Sequence, residues 1–216
     1  MATRSNIVEL RNLLAERFPQ PRLAPQSRIA TGVPQLDDAL EGGLPKGAIT
    51  ELTSPNVSAG TALLIARLLQ AAHQERFFLA LIDGRDSFDP QPLGNARLRN
   101  LLWVRCRKTV DAVKAADLLL RDGNFPIVVL DLVLNAADEL RKIPQTSWYR
   151  LQRLVEPVPT AFLVLSRRSM ISSAQTKLVL VSNWRLADLQ QDHCGGQLRF
   201  AVQRVQGGRL DIAGVG

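Results

Sequence analysis

The stretch ELTSPNVSAGTALLIARLL, Glu51 to Leu69, decides how this chain reads. A short apolar strand enters a Ser/Pro/Gly turn, and the turn opens a long apolar helix, which is the grammar of a phosphate-binding loop. A working loop of that kind runs G-x-x-x-x-G-K-S/T. Its glycines let backbone N–H groups wrap the phosphates, and its lysine reaches the β and γ oxygens. Laid on SPNVSAGT, Ser54 takes the first glycine position, Ala59 the second, Gly60 that of the lysine and Thr61 that of the metal-binding hydroxyl. Pro55, Asn56, Val57 and Ser58 fill the turn between. Both glycine positions therefore carry a Cβ, which disfavours the positive φ such loops use. The cation that offsets phosphate charge is missing. Thr61 is explained equally well as a helix N-cap, and Leu64, Ile65, Leu68 and Leu69 as core packing under a sheet.

Outward from this turn, short apolar strands alternate with helical stretches. Upstream, Pro34–Leu40 reads as a short helix with proline in its first turn, closed by Gly42 and Gly43. Ala48–Thr53 reads as a strand and Thr61–Gln74 as the helix that follows it. Further on come strands at Phe77–Asp83 and Leu101–Arg105, a helix at Val110–Arg121 and a strand at Ile127–Asp131. Helical stretches around Ala136–Arg141 and Ser147–Val155 precede a strand at Ala161–Ser166. This alternation predicts an α/β fold with a mostly parallel sheet. The unbroken run IVVLD suits a central strand buried on both faces. The chain then changes character: KLVLVSNWRLADL, QLRFAVQRV and RLDIAG, joined by CGGQ and QGG, read as an antiparallel meander.

Before the body lies a different segment. Ile7, Leu10, Leu14 and Phe18 form one face of an amphipathic helix, and PQPRLAPQSR then forbids helix with three prolines. The expected organisation is an N-terminal helix and Pro-rich linker over 1–26, then a core domain over 27–216. The helix suits either packing back on the core or docking in a partner's groove.

Composition excludes several classes. The 216 residues are 46% hydrophobic and 22% charged, as in ordinary globular proteins. Two cysteines give neither a disulfide framework nor metal-ligand spacing, so no metal is expected; His193 beside Cys194 reads as a surface turn. The opening residues lack a continuous apolar segment, and no run reaches membrane-spanning length, so a cytoplasmic location and no membrane contact are expected. The sequon at Asn56 then reads as chance. A net charge of +7 favours nucleic acid or another acidic partner.

Six segments in order resemble the RecA recombinase family. TGVPQLDDALEGGLPKGAITEL is similar to that family's approach to its first core strand, and LALIDGRDSFDP to the second strand and its turn. IVVLDLV resembles the strand carrying a metal-orienting aspartate, here Asp131, and TAFLVLSRR the strand after it. KLVLVSNWRLADLQ and LRFAVQRVQGGR resemble the closing hairpins. The resemblance implies a RecA-like core: a mostly parallel twisted sheet flanked by helices, ending in an antiparallel β-meander.

The residues of the site depart from the family. Where the resemblance implies a glutamate that activates water, this chain has Arg85, with Asp86 one position away. No catalytic residues and no cofactor are therefore expected, and Asp131 becomes a relic acid. The chain is most similar to the ImuA family, non-catalytic accessories of damage-induced translesion synthesis within the SOS response. The implied partners are an ImuB-like polymerase homologue, RecA, or both, with Ile7, Leu10, Leu14 and Phe18 as the anchor. The alternatives are a SulA-like division inhibitor binding FtsZ, or a divergent ATPase borrowing a lysine from Lys46 or a neighbouring subunit. Self-association is also implied. The places of the family's DNA-holding loops carry Arg141, Lys142, Arg150, Arg167, Arg168 and Lys177. Trp148 and Tyr149 beside them suit stacking on single-stranded DNA, or packing a helix onto the sheet.

Overall fold

A computed structural model describes residues 27–56, 60–182 and 198–205. The N-terminal helix, Val57, Ser58, Ala59, His193 and Cys194, and the rest of the closing hairpins lie outside the described residues. A small antiparallel ladder pairs β1, Arg28–Ile29, with β2, Leu44–Pro45. Between them stands α1, Pro34–Ala39, with proline in its first turn as expected. Thr31 clamps that turn: its N–H and hydroxyl both donate to Asp37 Oδ1, at 2.9 and 2.8 Å. The returning chain passes so close to β1 that a Cβ on Gly43, whose φ is +114°, would lie 2.2 Å from the Ile29 carbonyl oxygen. Only glycine fits there.

Seven strands form the main sheet in the order β5-β4-β6-β7-β3-β8-β9. They are β3 (Ala48–Thr53), β4 (Leu79–Asp83), β5 (Leu101–Arg105), β6 (Ile127–Asp131), β7 (Ala161–Ser166), β8 (Thr176–Leu180) and β9 (Phe200–Val205). All neighbours run parallel except the last pair, β8 with β9. The expected mostly parallel sheet with an antiparallel end is thus present. Strand β4 begins two residues later than its apolar run, because the chain leaves the preceding helix through a turn at Glu75 and Arg76 and Phe77 still donates its N–H back to Ala72.

Side chains alternate strictly between the two faces, as period-2 geometry requires. On one face Leu52, Leu81, Val129 and Leu163 pack beneath α2, Thr61–Gln74, through Leu64, Ile65, Leu68 and Leu69. On the other, Ile49, Ile82, Val128 and Phe162 meet α4, Thr109–Asp122, and α6, Gln145–Val155. The shorter helices are α3, Asn95–Leu98, and α5, Ala137–Arg141. A 3-10 turn at Gln91–Leu93, which carries no apolar periodicity, leads into α3.

Candidate functional site

Parallel strands deliver their loops to one edge of the sheet, and ligands of such sheets collect there. At this edge lies a cleft of about 340 Å³, bordered by Thr61 and Ile65 of α2, Ser87 and Asp89 after β4, and Asp131 and Leu134 at and beyond the end of β6. The fold thus brings Thr61 and Asp131 together, as the sequence implied. Among the described residues, the charged ones bordering the cleft are Asp89 and Asp131, and no Lys or Arg lines it.

Asp131 is uncomfortable as an anion. It accepts one N–H bond, from Val133 at 3.0 Å, and lies in register with Asp83 on the adjacent strand. Burial pushes its pKa up to about 6; the Val133 bond opposes the shift and the Asp83 carboxylate adds to it. Asp83 is itself occupied in shaping the turn, accepting backbone N–H bonds from Arg85, Ser87 and Phe88.

The turn after β3 differs in detail from its sequence reading. Thr61 is the first helical residue, and Gly60 occupies the N-cap with φ 101° and ψ 24°. Thr61 is thus inside the helix rather than capping it. The position that a lysine takes in a working loop therefore adopts left-handed backbone, which suits glycine and strains a side-chain-bearing residue. Ser54 is buried, and its hydroxyl is spent on the Asn56 carbonyl at 2.9 Å. Lys46 lies before β3, at the opposite end of a six-residue strand from Thr61, a separation of about 20 Å.

Nor do Arg85 and Asp86 line the cleft. Arg85 Nη1 stands 3.9 Å from Glu139 Oε1. Asp86 is held by Arg105 through two bonds of 2.5 and 3.0 Å, which keep its carboxyl below the usual range. Arg105 in turn lies over Trp103, 4.7 Å from the ring centroid.

The cationic candidates fall into two groups. Arg141, Arg167 and Arg168 border one groove of about 650 Å³ beside the cleft, at the ends of β6 and β7. The others lie elsewhere. Trp148, for which stacking on bases and packing against the sheet were both open, is only 1% exposed and packs α6 onto the sheet with Leu151 and Val155. Tyr149 next to it is 50% exposed. Arg150 makes a two-bond pair with Asp117 of α4, at 2.7 and 3.1 Å, away from the groove. Lys142 is exposed at the end of α5 and does not line the groove.

Lys177, expected among the DNA-facing cations, is engaged inside the sheet. Its ammonium lies 3.1 Å from Glu51 Oε2, and the two residues are register partners on β8 and β3. Glu51 is fully buried and also accepts the Ser169 hydroxyl (2.8 Å) and the N–H groups of Met170 (2.6 Å) and Ile171 (3.0 Å). Lys177 thus neutralises an internal carboxylate. Glu51 was legible as an anomaly, a lone charge inside an apolar strand, but its partners became visible only with the strand order.

A parallel sheet with a strand-turn-helix cleft at its carboxyl edge defines the class of nucleotide-binding α/β folds, whatever this cleft now holds. Residues 20–142 match the RecA N-terminal domain family, and the chain belongs to that family. Among curated relatives, Protein RecA of Chlorobaculum parvum is 35% identical over 109 residues, 49% of this chain and 31% of that protein. Protein RecA of Synechocystis sp. is 35% identical over 108 residues (49% and 30%), and that of Chlamydia abortus 34% over 110 (50% and 31%). The matched stretch is therefore about a third of each relative's length.

Proposed function

We propose that this RecA-family chain is a non-catalytic accessory of the bacterial DNA-damage response, of the ImuA kind, supporting translesion synthesis by binding partners. One observation carries the loss of catalysis: the lysine position is a glycine in left-handed backbone, beside a cleft whose charged residues are both acidic. A nucleoside triphosphate with magnesium would bring phosphate charge to carboxylates with no compensating cation. The ImuA assignment rests on the resemblance of the six core segments, the missing lysine, and the apolar stripe Ile7, Leu10, Leu14, Phe18 read ahead of the linker. The partners it implies are an ImuB-like polymerase homologue and RecA.

Thermal unfolding with Mg-ATP tests the first half. A ligand at a hundred times its Kd stabilises by about 2.7 kcal/mol, which at roughly 2–4 °C per kcal/mol raises Tm by about 5–11 °C. We expect no rise, and a rise of that size refutes the reading. We also expect the single substitution Gly60→Lys to restore no binding, because the turn is wrongly shaped for it. Co-purification with a polymerase homologue, lost when residues 1–26 are deleted, tests the second half. Capture of FtsZ in its place marks a division inhibitor.

A further inference from the structure

The groove beside the acidic cleft has a built form and two unspent charges. Its walls are Pro55 after β3, Leu134 and Leu140 after β6, and Met170 after β7. Leu134 is 46% exposed, and it borders both the cleft and the groove. Arg141, Arg167 and Arg168 stand at the border. Arg141 already pairs with Asp138 at 2.9 Å. Arg167 and Arg168 are exposed, and neither guanidinium has a recorded partner among the described residues.

The wall is held in place from beneath. Met170 donates its N–H to the buried Glu51 and accepts from Gln145 Nε2 at its carbonyl (3.0 Å). The Ser169 hydroxyl is anchored on the same carboxylate. The loop that presents Arg167 and Arg168 is therefore preorganised, which lowers the ordering cost of binding.

We infer that this groove docks an acidic peptide segment of a partner protein, with an aliphatic side chain seated against Leu134, Leu140 and Met170 and carboxylates meeting Arg167 and Arg168. The inference extends the binding role proposed above, but it depends on neither the nucleotide question nor the identity of the partner. Charge complementarity selects the sign. The apolar wall selects a peptide over a nucleic-acid strand. Single-strand sites combine a cationic track with aromatic platforms, and among the described residues no aromatic side chain lines this groove. Trp148 is internal, while Lys177 and Arg150 are already paired.

The test pans a random dodecapeptide phage library against the full chain and against R167E/R168E. Anisotropy then follows with the labelled peptide DDLDDLLD, its lysine counterpart KKLKKLLK, and a twelve-residue oligothymidine. Both arginines are exposed, so the double substitution leaves the core intact, and unchanged thermal unfolding verifies this. We expect acidic, aliphatic sequences to be enriched on the wild type alone. The labelled acidic peptide should lose at least tenfold in affinity with R167E/R168E, and at least threefold with L134D. The inference falls if panning enriches nothing acidic, if the double variant binds the acidic peptide as tightly as the wild type, or if oligothymidine outcompetes it in the groove. A Tm rise with Mg-ATP would overturn the non-catalytic reading while leaving this result standing.

Discussion

Replacing Lys177 with methionine tests whether that residue is a structural counterion or a ligand-facing cation. The ammonium and the Glu51 carboxylate are 3.1 Å apart, with Glu51 0% and Lys177 17% exposed. At an effective dielectric constant of about 20, the gross attraction at that distance is about 5 kcal/mol. Much of it is offset by the desolvation of both groups. Removing one partner of a buried pair costs roughly 3–5 kcal/mol, because the survivor stays buried and charged. Here the Ser169 hydroxyl and the Met170 and Ile171 N–H groups continue to stabilise the carboxylate, which puts K177M at the low end, about 3 kcal/mol. For a chain of this size that lowers Tm by about 6–12 °C. In E51Q the amide oxygen keeps accepting the two N–H bonds and Lys177 reaches solvent, so about 1–2 kcal/mol is expected. The double variant should lose less than the sum, with a coupling of about 2 kcal/mol. Urea denaturation of all four proteins measures the cycle. A K177M loss below about 1 kcal/mol, or full additivity, refutes the assignment. So does a large loss of oligonucleotide affinity in K177M with stability unchanged.

Three further outcomes follow from single sites. Asp131 titrates near 6 when folded against an ordinary 3.8, so the folded state binds more protons than the unfolded state between those values, and stability falls as pH rises through that window. The difference amounts to at most about 3 kcal/mol, and D131N, which removes it, should raise the urea midpoint at pH 7.5 and flatten the slope between pH 4 and 6. W148A should cost about 3–5 kcal/mol, as for emptying a core aromatic site, whereas Y149A at the half-exposed neighbour should cost under about 1 kcal/mol by the same denaturation. G43A places a Cβ against the Ile29 carbonyl oxygen in a left-handed backbone, so a loss of at least about 2 kcal/mol is expected. By contrast, G94A has nothing within 4 Å of its Cβ and carries only the strain of its backbone, φ 72° and ψ 151°, so about 1–3 kcal/mol is expected in equilibrium unfolding.

The sheet was legible because its strands carry their own address. Runs such as IVVLD and AFLVLS are apolar on both faces, and that composition is stable only in a central parallel strand. Even the Thr31–Asp37 clamp was present in the TG and LD of one segment, although its meaning needed the turn that joins them. What the sequence could not reveal were the partners of charges, because these are set by strand order. Lys177 sits in a basic stretch and reads as solvent-facing. Only the adjacency of β8 to β3 turns it towards Glu51, 126 residues earlier in the chain. Trp148 and Tyr149 were ambiguous for a related reason: adjacent helical positions point about 100° apart, so one had to face the sheet, and composition does not say which.

The positions that made the fold recognisable are not those that decide the chemistry. Recognition came from buried strands and from turn glycines such as Gly43, whose replacement would strain the fold. These stay fixed as long as the core must pack, whether or not a nucleotide ever binds. Lysine at position 60 and glycines at 54 and 59 would contribute no comparable packing, so the sheet does not need them. Gly60 holds the helix start in a left-handed backbone that does not suit a lysine. Installing one there requires reshaping the turn as well as adding the charge. Meanwhile Glu51, on the strand that feeds the turn, still holds the Arg167–Arg168 loop through Ser169 and Met170. On the non-catalytic reading proposed above, the strand that feeds this turn also supports a second rim, and a binding role is to be sought there.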